Sequence, residues 1–164
     1  MNGKYVKESR VLDSSRVFPT DLNNHGTLFG GKMLAAMDLI ASISATKHSR
    51  MECVTASMDS VEFLCPVRES DCINYESFVI LTGTSSMEVF VRATAEDLLS
   101  GEKRVAATCF VTFVALKDGK PHKVVEVFPE TEEEVKLQQL AFKRLESRQM
   151  RKKLSKELAL IWEN

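Results

Sequence analysis

Asp38 is a carboxylate inside an otherwise apolar run from Phe29 to Ala45, and that run reads as one buried helix. Asp suits a helix interior poorly, since its short side chain competes for backbone hydrogen bonds. A charge held away from water is expensive unless it is paired or its pKa moves. An acid in that position can serve as a general base or a nucleophile. Gly30 and Gly31 stand at the start of the same helix. Glycine lets a ligand approach the backbone closely, and the first amides of a helix have no intrahelical partner. With the helix dipole they suit a carbonyl oxygen that becomes negative. Asn23, on the preceding loop, can position a water or the acid itself.

Within one helix these groups stay apart. Gly31 and Asp38 are seven residues from each other, about 10 Å along the axis. A two-fold dimer with antiparallel helices would bring Asp38 of one subunit to Gly30 and Gly31 of the other. A purely structural reading stands beside this one. In it the glycines permit tight packing and Asp38 caps a neighbouring loop, since structural networks also perturb acids.

The elements that must position these residues are legible. Residues 5–18 alternate weakly and predict a first strand, closed by Pro19. Residues 20–28 are rich in turn formers and read as a loop. The helix runs over 29–47. Strands follow over 53–64, 71–82, 86–96 and 105–116, separated by turn signals at Pro66, Gly83 and Gly101. In the third of these, Met87, Val89, Val91 and Ala93 face one way and Glu88, Arg92 and Thr94 the other, with Phe90 an exception on the polar side. A helix followed by a run of strands predicts an α+β fold with an antiparallel sheet. A helix apolar nearly all round needs cover on nearly all sides. Five strands cannot supply that alone, so a partner subunit is expected. From residue 130 a second helix begins, with Thr131 as N-cap and Glu134 completing a capping box. Its stripe of Leu137, Leu140, Ala141, Leu145, Leu154, Leu158 and Ile161 is expected to dock on something.

Bulk properties bound the function. A chain of 164 residues predicts one main globular unit. A net charge of -1 gives no electrostatic case for nucleic acid or membrane partners. The N-terminal residues lack a signal-peptide core, and the apolar run around Asp38 is too short to span a bilayer. Cys53, Cys65, Cys72 and Cys109 form no C-x-x-C pair, and His25, His48 and His122 make no ligand pattern, so no metal site is expected. A reducing cytoplasm is the simplest compartment.

The segments 21–23 (Asp-Leu-Asn), 25–34 (His-Gly-Thr-Leu-Phe-Gly-Gly-Lys-Met-Leu) and Met37-Asp38 resemble the signature of hotdog-fold acyl-CoA thioesterases. The similarity is greatest to bacterial acyl-CoA hydrolases related to mammalian brain acyl-CoA hydrolase. It continues through 54–63, Pro66-Val67, 84–89 and 109–115, in the right order over about residues 8–118. The resemblance implies a five-stranded antiparallel sheet wrapped around the long helix, over residues 5–128, with a C-terminal helical extension over 129–164. It places the catalytic acid on Asp38, the loop Asn on Asn23, and the amides that polarise the thioester on Gly30 and Gly31. It implies CoA binding at Thr84, Ser85 and Ser86, sites shared between two subunits, and assembly as a dimer or trimer of dimers. No cofactor is implied beyond the CoA of substrate and product.

Other readings stay open. The turn at 83–86 also suits an ordinary hairpin. Val54, Thr55, Met58 and Phe63 could line an acyl pocket or fill a core. The cations between Lys143 and Lys156 could approach a CoA phosphate or form a solvated face. The expected activity is hydrolysis of acyl-CoA to free acid and CoA. The alternatives are a hotdog dehydratase or hydratase, which would want a His beside the acid, and a non-catalytic acyl-CoA-binding module. Modules of that kind add a DNA-binding helix-turn-helix, which the segment before residue 8 is too short to hold.

Overall fold

The computed structural model describes residues 3–163. The order is β1 (Gly3–Tyr5), α1 (Val6–Ser9), β2 (Val11–Arg16), a 3-10 turn (Pro19–Asp21), α2 (Gly30–Ser49), β3 (Glu52–Phe63), β4 (Asp71–Thr82), β5 (Ser86–Asp97), β6 (Lys103–Lys117), β7 (Lys120–Pro121), β8 (Glu126–Phe128) and α3 (Glu132–Leu160). Five antiparallel strands form the main sheet in the order β2-β4-β5-β6-β3, and β7 pairs with β6 beside it. The sheet curls around α2, which is the hotdog architecture that the resemblance implies. Among the described residues no helix is long and apolar enough to cross a membrane.

The expected strand over 5–18 is corrected. Val6–Ser9 is instead one helical turn, and only Val11–Arg16 joins the sheet. Ser9 causes the break: its hydroxyl donates to the Val6 carbonyl at 2.9 Å and accepts from the Val79 N–H at 3.0 Å. A hydroxyl turned back on its own backbone competes with the strand ladder. The parallel pair β1–β8 was not foreseeable from segments this short.

α2 buries one face, not its whole circumference. Met33, Met37, Ile40, Ala41, Ser44, Ala45 and His48 follow helical spacing and lie against the inner face of the sheet. Opposite them are Val79, Val89, Val91 and Val111, all fully buried. The Ser44 and Ser77 hydroxyls, 2.7 Å apart, satisfy each other, and Ser77 donates to the Ile40 carbonyl at 3.0 Å. Leu39 and Ile43, by contrast, are 62% and 43% exposed. The chain by itself leaves that side of the helix uncovered.

The outer face of the sheet explains Phe90. Phe78, Phe90 and Phe110 stand opposite one another across β4, β5 and β6, with ring centroids 5.7 and 5.4 Å apart. The Arg10 and Arg144 guanidinium groups lie over Phe78 and Phe110 at 4.2 and 3.9 Å. α3 covers this stripe with Leu137, Ala141 and Leu145. Its capping box forms as expected, with Glu134 N–H donating to the Thr131 hydroxyl at 3.2 Å. Beyond Arg148 every described α3 residue is exposed, so Leu154, Leu158 and Ile161 do not dock within this chain.

His48 closes the C-terminal end of α2. Its Nε2–H donates to the Val125 carbonyl at 2.9 Å, and its ring is fully buried. Burial holds its pKa below the ordinary value of 6.5, against the pull of that carbonyl. The unfolded chain therefore takes up a proton as pH falls through about 6.5 while the folded chain does not. Stability is full above that pH and is lost below it, down to the depressed folded value. Urea unfolding should show a lower midpoint at about pH 5.5 than at about pH 7.5, and His48→Gln should shrink the difference.

Candidate active site

Asp38 lies on the flank of α2, between its buried row and its exposed row, and is half-buried. The helix expected to be buried nearly all round thus leaves its acid partly open within this chain. Its Oδ1 accepts a hydrogen bond from the Thr55 hydroxyl at 3.0 Å. Among the described residues Oδ2 accepts none, so that oxygen is available. Thr55 belongs to β3, whose only sheet neighbour among the described residues is β6. A bulge falls between Thr55 and Ser57, and a second between Asp59 and Glu62, where Ser60 has φ 50°. Bulges re-aim side chains at sheet edges. Together they leave an open seam between α2 and β3, with the carboxylate facing into it.

The second half of the arrangement is the start of α2. Phe29 is the N-cap residue, and its N–H donates to the Asp21 carbonyl at 2.9 Å. Lys32 reaches back to the Asp21 carboxylate at 2.6 Å. That ammonium, with the Phe18 N–H, holds the Asp21 carboxyl below its usual range. The loop is thus fixed, while the Gly30 and Gly31 N–H groups find no partner among the described residues. A side chain at either position would meet an aromatic ring. A Cβ on Gly31 would come to 2.6 Å from Phe29, and one on Gly30 to 3.3 Å from Phe63.

Asn23 acts first on its own loop. Its Oδ1 accepts from the N–H groups of His25 and Thr27 at 2.9 and 3.2 Å. Its Nδ2 donates to the Thr27 hydroxyl at 3.0 Å, which leaves one amide hydrogen free.

The remaining expected residues divide. Thr84, Ser85 and Ser86 form the β4–β5 turn, at the end of the sheet level with Val54, since Ser86 and Val54 both stand opposite Val114. The Thr84 and Ser85 carbonyls accept from Val124 and Ala115 at 3.0 and 2.9 Å. Their hydroxyls make no hydrogen bond with the described residues. Val54 and Phe63 are 47% and 53% exposed on β3, while Met58 is half-buried against the core. Thr55 is the acid's hydrogen-bond partner, which its sequence position did not reveal. Neither reading of the basic cluster, CoA contact or solvated face, describes its inner end. Arg144 and Arg148 pair with the buried Glu88, and Arg144 also with Asp59. Burial raises the Glu88 pKa, and the two cations oppose that shift. A hollow of about 750 Å³ lies between the 25–27 and 66–70 loops and one of about 650 Å³ between the end of α2 and the start of β3, and Asp38 lines neither.

Residues 25–102 match the thioesterase superfamily. The chain is 55% identical over 157 residues to YkhA of Bacillus subtilis, an uncharacterized acyl-CoA thioester hydrolase, covering 95% of this chain and 91% of that one. The chain belongs to the hotdog acyl-CoA thioester hydrolases. Its fold matches the acyl-CoA hydrolase of Bacillus cereus with a TM-score of 0.96 at 60% identity, over 99% of each chain. It matches the Staphylococcus aureus acyl-CoA hydrolase, bound to butyryl coenzyme A and coenzyme A, with a TM-score of 0.93 at 40% identity, over 98% of each. Variants of that enzyme with one Asp, one Thr or one Asn changed to Ala have also been characterised. A hexameric acyl-CoA thioesterase matches with a TM-score of 0.88 at 44% identity, over 91% of this chain and 97% of that one.

Gly31→Ala separates stability from chemistry in this thioester hydrolase. The new methyl displaces the exposed Phe29 ring across the helix start, while Ala favours a helix over Gly by about 1 kcal/mol. Thermal unfolding should show stability unchanged or slightly raised, and thioester turnover should fall about tenfold to a hundredfold.

Proposed function

We propose that this protein hydrolyses acyl-CoA at a site shared by two subunits, with Asp38 as general base. The observation that carries the reading is the Asp38–Thr55 hydrogen bond at the open seam, which orients one carboxylate oxygen and leaves the other free. Asp38 takes a proton from a water, which the spare amide hydrogen of Asn23 of the partner subunit helps to hold. The resulting hydroxide attacks the thioester carbonyl. The oxyanion is stabilised by the N–H groups of Gly30 and Gly31 of the partner subunit. The C–S bond then breaks, and the Asp38 carboxyl returns its proton to the departing thiolate. The hydroxyls of Thr84, Ser85 and Ser86 assist in holding CoA, and Val54, Met58 and Phe63 contact the acyl chain.

Several observations support this assignment. In the variants of the Staphylococcus aureus hydrolase, the Asn stands fifteen positions before the Asp and the Thr seventeen after it. Asn23, Asp38 and Thr55 have those same separations. The dimer is supported by an edge strand of 12 residues with a free side and by the exposed Leu39 and Ile43 beside it. Such an edge invites pairing with a second copy. The likeness to a hexameric thioesterase supports further assembly as a trimer of dimers. Four free cysteines suit a reducing cytoplasm.

With a panel of acyl-CoAs and a thiol reagent that reports CoA release, Asp38→Asn should lower turnover by about a hundredfold or more. Thr55→Val should cost less, about tenfold. Unchanged turnover in Asp38→Asn would overturn the assignment. Single turnover in labelled water should leave no label in Asp38; label there would mean direct attack and a mixed anhydride.

Sharing between subunits has its own test. Asp38→Asn and Gly31→Ala subunits, each of low activity, are mixed under conditions of subunit exchange. Half of the dimers are then mixed, and each mixed dimer has one intact site, so roughly a quarter of the full activity should return. No recovery is expected if both halves act within one chain.

A further inference from the structure

One guanidinium on the outer face of the sheet holds three strands at once. Arg144 of α3 lies over the Phe110 ring of β6 at 3.9 Å. Its Nε donates to Glu88 Oε1 of β5 at 3.2 Å. Its Nη1 donates to the Ser60 hydroxyl and its Nη2 to Asp59 Oδ1, both on β3. The Arg144 and Asp59 side chains are 18% and 12% exposed, so the pair is largely shielded from water. A planar fork of this kind fixes direction as well as distance.

The pairing of β3 with β6 shows what is being held. Side chains alternate between the two faces of a strand. Thr55, opposite Phe113, faces α2, and so does Phe63, opposite Ala107. Plain alternation from Thr55 would point Asp59 inward as well. Asp59 points outward because one extra residue falls between Thr55 and Ser57, and Met58, opposite Val111, turns to the core instead. A second extra residue, between Asp59 and Glu62, reverses the strand again. Ser60 lies in this second bulge with φ 50°, a left-handed conformation that a serine keeps only when its surroundings hold it there. The two residues that Arg144 grips thus lie where β3 is out of step with its own ends.

The consequence reaches the acid. The eight steps from Thr55 to Phe63 stand against six of β6. That shortens the span between them to about 20 Å, from about 27 Å in a strand without bulges. Thr55 orients Asp38, and Phe63 stands beside Gly30. A bulge without an anchor is free to shift along its strand, and each shift re-aims the side chains next to it.

We propose that Arg144 is a positioning residue for the hydrolysis. Through Asp59 and Ser60 it pins the double bulge of β3, and the pinned bulge aims the Thr55 hydroxyl at Asp38. Arg144 itself stays on the far face of the sheet from the acid. This rests on the reading of Asp38 as the base and adds the group behind the sheet that keeps it oriented.

A double-variant cycle on butyryl-CoA hydrolysis provides the test. Asp59→Asn breaks the charged pair and keeps the side-chain size. Its kcat should fall about tenfold, with KM within about twofold of the unaltered protein. In a Thr55→Val background the same change should cost less than about twofold, because its route to the acid is already gone. Ser60→Gly removes the second anchor and accepts the left-handed backbone, so it serves where Asp59→Asn fails to fold, with the same coupling to Thr55→Val expected. Arg10→Lys loosens a different ion pair of α3, with Glu134, and should lower the thermal midpoint while kcat stays unchanged. The proposal is overturned if Asp59→Asn and Ser60→Gly keep the full kcat, if their losses multiply with that of Thr55→Val, or if Arg10→Lys lowers kcat as much as they do. Full turnover in Thr55→Val would instead defeat the Asp38–Thr55 reading, and the proposal with it.

Discussion

The structure depends on a sheet that covers its central helix on one side only. The inner valines and methionines of the sheet take up the Met33–Met37–Ile40–Ser44–His48 face of α2, and among the described residues there is no further strand past β3 to enclose the opposite face. Asp38 sits where cover ends. A carboxylate one step further round would be sealed in the core, at a high desolvation cost. One step the other way it would be a solvated surface group with no fixed orientation. At the boundary it is half-buried and held by a single hydroxyl at 3.0 Å. The same incomplete cover leaves Leu39 and Ile43 exposed, which is the apolar surface a second copy would bury.

The outer face supplies rigidity without touching the seam. The stack of Phe78, Phe90 and Phe110 is roofed by the first half of α3 and flanked by two guanidinium groups. Glu88 is fully buried beneath α3 and carries two arginines. A buried carboxylate is a poor source of net stability, but it fixes register, because misplacing the helix would strand the charge. Since Asp59 of β3 shares Arg144 with Glu88, the clasp also ties the edge strand to the centre of the sheet. The edge that carries Thr55 is therefore held from behind while its front stays open.

The proposed catalytic parts in one chain lie at opposite ends of that edge. The free amides of Gly30 and Gly31 stand beside Phe63, at the end of β3, and Asp38 beside Thr55, near its beginning. A two-fold axis across β3 exchanges the ends, which is why a symmetric pair could complete two sites with one kind of surface.

What the sequence determined by itself is mostly periodic or local. The strands over 71–82 and 86–96 match β4 and β5 within a residue, and the Thr131 capping box is read directly from residues three apart. Asp38 was visible as an anomaly, and so was Phe90, because each violates the pattern of its own element. Tertiary structure decided what each anomaly meets. Thr55 is 17 residues from Asp38, and Asp59 is 85 from Arg144. The strand bulges that aim Thr55 and the hydroxyl of Ser9 that breaks the first strand leave no periodic trace. The breadth of the helix's exposed side was equally hidden, since an apolar residue looks the same in sequence whether its own sheet covers it or another subunit must. Hydrophobic spacing reports that a surface is buried; only closure of the chain in space fixes by what.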